Sequence, residues 1–152
     1  MADKKIIAVV GATGAQGGGL VQAILNDPGS GFAVRALTRK VDSDKAKALK
    51  KQGVEVVAAD LDDIESLKRA FAGAHGAFLL TNYWELFSPE KEFAQAKNLA
   101  EAAKAANVRH VIWSTLEDTR RWVPLSDNRM PTLMGKYKVA HFDAKGEADR
   151  LF

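Results

Sequence analysis

The sequence predicts an α/β fold: a doubly wound parallel sheet with strand order 3-2-1-4-5, in three αβα layers, as one domain over residues 1–152. Three observations carry this expectation. Short, nearly continuous apolar runs alternate with stretches of helical periodicity. A glycine-rich loop joins the first run to the first helical stretch. No internal repeat, linker or low-complexity segment breaks the alternation, and 152 residues suit one domain with a respectable core.

The runs KIIAVV, FAVRALT, VEVVAA, HGAFLL and RHVIWS read as five strands. Unbroken apolarity fits parallel strands covered on both faces. Leu20, Val21, Ile24 and Leu25 give the first helix its apolar face, and NDPGSG stops it. DDIE at 62–65 resembles a capping box, with Ile64, Leu67 and Phe71 as a stripe behind it. Ser88 before Pro89 is a helix start, a cap residue followed by the proline favoured at the first helical position. Phe93, Ala96, Ala100 and Ala103 form the buried side of that helix, and their small size predicts close packing on the sheet. The long irregular stretch is residues 120–135, which holds two prolines. Parallel neighbours joined by right-handed crossovers place ligands at the carboxyl ends of the strands, beside the switch point between strands 1 and 4.

Composition narrows the function classes. There is no cysteine, which excludes disulfides and thiol chemistry, and His75, His110 and His141 lack metal-ligand spacing. The start MADKKIIAVV lacks a signal peptide's features, and no run approaches the roughly 20 apolar residues of a membrane span. The expected compartment is cytoplasmic or nuclear. A net charge of +3, from 22 basic and 19 acidic residues, is too mild to argue for nucleic acid. Residues 39–51 carry six positive and two negative side chains, which alone read as a solvated helix face.

The loop reads Gly11-Ala12-Thr13-Gly14-Ala15-Gln16-Gly17, a G-x-x-G-x-x-G spacing. One glycine makes the tight turn, another lets the backbone approach a pyrophosphate, and the last lets helix and strand pack closely. The helix opening there turns unpaired N–H groups and a positive dipole end toward phosphate. The alternative is a glycine-rich structural turn, but a preceding strand and a following helix are the context that a dinucleotide site requires. About 20 residues beyond such glycines, an NAD site places an acid for the ribose 2′-hydroxyl. Here the second strand ends in Thr38, Arg39 and Lys40. A guanidinium matches a 2′-phosphate bidentately, so Arg39 predicts NADP(H), with Lys40 as a further basic residue. Asp60 and Leu61 after strand 3 stand where adenine would rest, although Asp60 serves equally as a helix cap. Thr81 and Asn82 follow strand 4 on the nicotinamide side. The aromatic TNYWELF either lines the crevice there or covers a core edge.

GATGAQGG, LTRK, TNYWE and HFDAKGEAD together resemble the NmrA-like family of atypical short-chain dehydrogenases, most of all its cytosolic NADP-sensing members. The resemblance covers essentially the whole chain, and TNYWE with HFDAKGE is more specific than the glycines. It implies that Gly11 to Gln16, Arg39, Asp60, Leu61, Thr81, Asn82, Tyr83 and Lys145 touch NADP(H). A basic position shortly after Arg39 in the sensors falls here on Ser43 or a neighbour, which implies a looser phosphate grip. NmrA-like proteins continue beyond the lysine helix, whereas this sequence has seven residues after Lys145. The expectation is a cofactor-binding portion with an open nicotinamide side, whose fifth strand is a sheet edge prone to self-association.

Typical short-chain dehydrogenases carry a Y-x-x-x-K pair on one helix face, the tyrosine moving the proton and the lysine lowering its pKa. Here His141 stands in the tyrosine position and Tyr137 lies one turn further back. Ser114 ends strand 5, where a substrate-polarising hydroxyl would sit. Lys145, Ser114 and His141 are therefore the catalytic candidates, His141 serving either to move a proton or merely to pack. Two functions follow: an NADP(H) sensor acting on a regulatory protein partner, or an NADPH-dependent reductase like the family's isoflavone-reductase relatives. The absent tyrosine favours the sensor and predicts slow ordinary carbonyl reduction.

Overall fold

The computed structural model describes residues 4–152, so the expectation for the extreme start at Met1 to Asp3 lies outside the described residues. The strands are β1 (Lys5–Val10), β2 (Phe32–Thr38), β3 (Glu55–Ala58), β4 (Gly76–Leu79) and β5 (His110–Trp113). They form one parallel sheet in the order β3-β2-β1-β4-β5, the order that the sequence predicts. The helices are α1 (Ala15–Leu25), α2 (Asp44–Lys51), α3 (Ile64–Phe71), α4 (Tyr83–Leu86), α5 (Pro89–Ala105) and α6 (Ala140–Ala148).

β1 shows how the two faces are filled. Ala8 and Val10 join Leu67, Phe71, Leu79, Leu99 and Ala103 in a core beneath α3 and α5. Val9, on the opposite face of the pleat, joins Val21, Val34, Leu49 and Val54 beneath α1 and α2. β2 carries one charge inside its apolar run. Arg35 donates to the carbonyls of Ala70 (2.9 Å) and Ala72 (2.7 Å) and pairs with Glu55 at 2.8 Å, so it ties β2 and β3 to the end of α3.

The caps follow the sequence with one shift. α3 is capped by Asp63, whose carboxylate accepts from the N–H groups of Glu65 (3.0 Å) and Ser66 (3.2 Å), one residue later than the DDIE pattern places it. Ser88 caps α5 with Pro89 behind it. On α5, Ala96 and Ala103 are buried, whereas Phe93 and Ala100 are half-buried. Ser43 caps α2 through the Ala46 N–H at 3.2 Å. The aromatic TNYWELF is a turn of helix, α4, whose cap is the Asn82 side chain.

The irregular stretch between β5 and α6 is fastened to the back of α6. Asp143, fully buried, accepts from the Thr119 N–H (2.8 Å), the Thr119 hydroxyl (2.6 Å), and the N–H groups of Lys138 (2.8 Å) and Val139 (3.1 Å). Arg120 bridges Asp118 at 2.7 Å and Glu147 at 2.9 Å. A Cβ on Gly146 would lie 2.6 Å from the Asp118 nitrogen, so the segment rests directly on the helix backbone. Tyr137, 2% exposed, packs here under Arg120 and Lys136, away from the crevice.

Candidate dinucleotide site

A crevice of about 520 Å³ opens at the carboxyl ends of the strands. Its floor is the turn between β1 and α1. Gly11 adopts a left-handed conformation (φ +66°), and a Cβ there would meet the Leu80 side chain at 3.1 Å. Gly14 is the N-cap of α1 and brings no side chain to cap it, and the first turn of α1 holds no acid. The first N–H groups of α1 are thus left to an outside acceptor, in a field that favours an anion. Gly17 has a different duty. A Cβ on it would lie 2.4 Å from the Gly11 carbonyl oxygen, so only glycine lets α1 pass this close to the end of β1.

Of the residues expected here, Gly11, Thr13, Gly14, Ala15, Gln16, Arg39, Asp60, Leu61, Thr81, Asn82, Tyr83, Ser114, His141 and Lys145 line the crevice. Ala12, Gly17 and Lys40 do not. Ala12 and Gly17 are buried beneath the loop, and Lys40 points to solvent. Trp84, Glu85, Gln95 and Leu116 also line it and were not singled out in the sequence. Glu85 lies within the TNYWE motif, which was its signal.

At one end, Arg39 Nη2 pairs with Glu85 Oε2 at 3.0 Å, with the two side chains 62% and 53% exposed. This pair links the end of β2 to α4 across the crevice mouth. Asp60 folds back on its own loop, accepting from the Asp62 N–H at 2.9 Å. Leu61 packs against the core and its carbonyl accepts from Asn98 at 2.8 Å.

The other end is built around Lys145 on α6. Its Nζ donates to the Thr81 carbonyl (3.1 Å), the Thr81 hydroxyl (3.3 Å) and the Ser114 carbonyl (3.2 Å). The Thr81 hydroxyl in turn donates to Glu92 Oε1 at 2.7 Å, and Glu92 stands 3.6 Å from Nζ. Burial holds the Lys145 ammonium below the ordinary lysine pKa, and the Glu92 carboxylate acts against that shift. Glu92 is 1% exposed. Nothing in the sequence distinguishes it from a first-turn acid that complements a helix dipole, and its burial became visible only in three dimensions.

His141 lies one turn before Lys145 and packs against Trp84 (4.9 Å between ring centres) and Tyr83 (5.7 Å). The Ser114 hydroxyl donates to Gln16 Oε1 at 2.7 Å, closing the crevice floor between β5 and the glycine loop. Among the described residues no helix is long and apolar enough to cross a membrane, and no cluster of side chains offers a metal site.

The family model described as "NmrA-like family" matches residues 3–147. Among similar proteins, the NmrA-like family domain-containing oxidoreductase FrzB of Cladobotryum sp is 41% identical over 114 residues, covering 72% of this chain and 33% of that protein. The oxidoreductase cpsB of Aspergillus campestris is 35% identical over 148 residues, covering 91% of this chain and 43% of its own length. The chain spans about a third of the length of most of the curated relatives it matches. Among solved structures, NmrA, a negative transcriptional regulator, superposes with a TM-score of 0.76 at 28% identity over 97% of this chain and 41% of that one. NmrA is also solved in complex with NADP. The Citrobacter sp. triphenylmethane reductase complexed with NADP(H) gives 0.68 at 29% identity over 95% of this chain and 45% of that one.

Proposed function

The chain belongs to the NmrA-like family, and from that premise we propose that its crevice binds NADP(H) in preference to NAD(H) and serves to sense the redox state of that pool for a protein partner. The observation that carries the binding reading is the pairing of an uncapped, acid-free α1 N-terminus with Arg39 on the far wall. The first suits a pyrophosphate, and the second suits a 2′-phosphate. Gly11 holds a left-handed turn that side chains disfavour, and Gly14 leaves the N-terminus of α1 without a capping side chain, which fits a phosphate group lying against the backbone. Structural neighbours solved with NADP(H), and NmrA also with NAD, support a nicotinamide dinucleotide as the cofactor class.

In this reading α1 binds the pyrophosphate, Arg39 the 2′-phosphate, and Asp60 with Leu61 flanks the adenine. Thr81 to Tyr83 lie beside the nicotinamide, and Lys145 holds its ribose. The bound cofactor, when reduced, would supply hydride. Three features favour sensing over standard carbonyl reduction. His141 stands where a proton-moving tyrosine is usual and is packed among aromatic rings. The Ser114 hydroxyl is taken by Gln16, and the Lys145 ammonium is turned inward onto Thr81 and Ser114. The second reading, an NADPH-dependent reductase in which Lys145 supplies the proton, is favoured by the oxidoreductase names of the relatives. Exposed Trp84 on α4 and Phe87 just after it, beside the crevice, are the surface we assign to a partner or to a second copy of the chain.

Calorimetric titration with NADP⁺, NADPH, NAD⁺ and NADH tests the binding proposal. The expected result is at least tenfold tighter binding of the phosphorylated pair, and equal affinities overturn it. A turnover screen with NADPH across aldehydes, quinones and enones separates the two functions. Slow or absent oxidation is expected with aldehydes, and brisk turnover of any class moves the assignment to the reductase.

A further inference from the structure

We propose that Glu92 sets the redox-state preference of the site: it offsets the positive charge of Lys145 at the nicotinamide end, so that the cationic ring of NADP⁺ is tolerated alongside the neutral ring of NADPH. The proposal rests on the dinucleotide reading above and deepens it.

The oxidised and reduced cofactors differ at the ring by one positive charge. One way for a protein to distinguish or equalise them is the charge it places nearby, and in a poorly solvated pocket that charge acts strongly. Lys145 is the cation on the crevice wall here, and Glu92 is the anion behind it at 3.6 Å. The Thr81 hydroxyl links them, accepting from Lys145 and donating to Glu92. Other elements contribute polar, aromatic and acidic groups around Lys145. β5 contributes the Ser114 carbonyl and the Trp113 ring, 4.9 Å from Nζ. Asp149, beyond α6, is bonded to the Trp113 indole and the Thr115 hydroxyl. α4 offers Tyr83 and the exposed Glu85, α5 the exposed Glu90, and α6 itself His141. Among these, Glu92 is the buried carboxylate that pairs with Nζ.

Glu92 is poorly explained as packing. Its Oε2 is buried without a hydrogen-bond partner among the described residues. Apolar side chains of like volume usually match or exceed a buried ion pair in stability. Its charge is felt at the crevice wall: burial first, then Glu92 and Glu90, push the Tyr83 phenol above its ordinary pKa.

The test measures dissociation constants for NADP⁺ and NADPH with the 152-residue chain and its E92Q, K145Q and E92Q/K145Q variants, at about pH 7.5 and about pH 9.5. Free imidazole and phosphate groups titrate below this window and drop out of the ratio Kd(NADP⁺)/Kd(NADPH). For the wild type the paired charges cancel at the lower pH; at the higher pH burial favours loss of the Lys145 proton while Glu92 opposes it, so the ratio should hold or fall but not rise. E92Q should raise it at least tenfold at the lower pH, the scale of one uncompensated charge within about 12 Å at an effective dielectric constant of about 20. That excess should shrink at the higher pH, where Lys145, buried and without its counter-charge, releases its proton. K145Q should move the ratio the opposite way, and the double variant should return it to within about twofold of wild type. An E92Q ratio within about twofold of wild type at the lower pH overturns the proposal. Should E92Q fail to fold, K145Q decides: a ratio that is unchanged or raised overturns it. Wild type that binds neither form overturns the dinucleotide reading and this inference with it, whereas binding with an unmoved ratio overturns the inference alone.

Discussion

At the Arg39 end of the crevice the charged groups stand in water on a rigid backbone, whereas at the Lys145 end they are sealed inside the fold. Arg39 and Glu85 are both more than half exposed. Lys145 and Glu92 are 9% and 1% exposed. The glycine floor beneath the first end depends on close backbone approach, above all that of Gly17 to Gly11. The second end depends on a hydrogen-bonded chain from Lys145 through Thr81 to Glu92. The difference teaches where affinity and stability separate. An exposed ion pair contributes little to folding, so its residues are free to be tuned for a ligand. Buried charges are bound up with folding, so changing one member alone disturbs both.

The sharpest way to break this contrast is Lys145→Met, which strands the Glu92 carboxylate in the interior. The expected cost is about 3–5 kcal/mol of folding free energy. Denaturant unfolding would measure it, and a loss below about 1 kcal/mol would mean that the two ends are not built differently. Next in size is Gly17→Ala, since its Cβ would press on a backbone oxygen that side-chain motion cannot relieve. A loss of about 2–3 kcal/mol is expected in the same assay.

Arg39→Ala should do the reverse. NADP⁺ affinity is expected to fall about tenfold, from the loss of one charge-assisted phosphate contact, while the melting temperature stays within about 1 °C. A drop in stability comparable to that of Lys145→Met would erase the distinction. The smallest effect belongs to Glu85→Gln. Glu85 occupies the guanidinium that a 2′-phosphate needs, and its charge repels that phosphate. Its neutralisation should tighten NADP⁺ about two- to threefold and leave NAD⁺ unchanged, which parallel titrations with both cofactors would reveal.

Much of the fold was legible because its signals are local. Apolar runs of four to seven residues mark the strands, and the alternation with helices dictates a parallel order. Gly11 and Gly14 were placed at the crevice by their spacing, and Arg39 by its position just after β2. What stayed hidden is carried by partners distant in sequence. Arg35 reads as a flaw in an apolar strand until the carbonyls of Ala70 and Ala72 are seen to receive it. Ala12 and Gly17 sit in the same motif as Gly14, but the turn folds them under rather than toward the crevice. Glu92 looks like a first-turn acid on a solvated helix, and only the packing of α5 against α6 turns it inward beside Lys145. HFDAKGE reads as one functional string, yet His141 and Lys145 face the crevice while Asp143, Gly146 and Glu147 hold the segment behind.

That two-sided helix behaves like a shaft in a bearing. The four bonds received by Asp143 fix the angle of α6 about its own axis, and Lys145 projects from the other side as a pointer. A turn of the shaft by roughly ten degrees would swing a lysine tip by about 1 Å, a misplacement large enough to cost about a hundredfold in a reaction that depends on its aim. Residues such as Thr119, which line no part of the crevice, would on the reductase reading set the aim of Lys145 through Asp143.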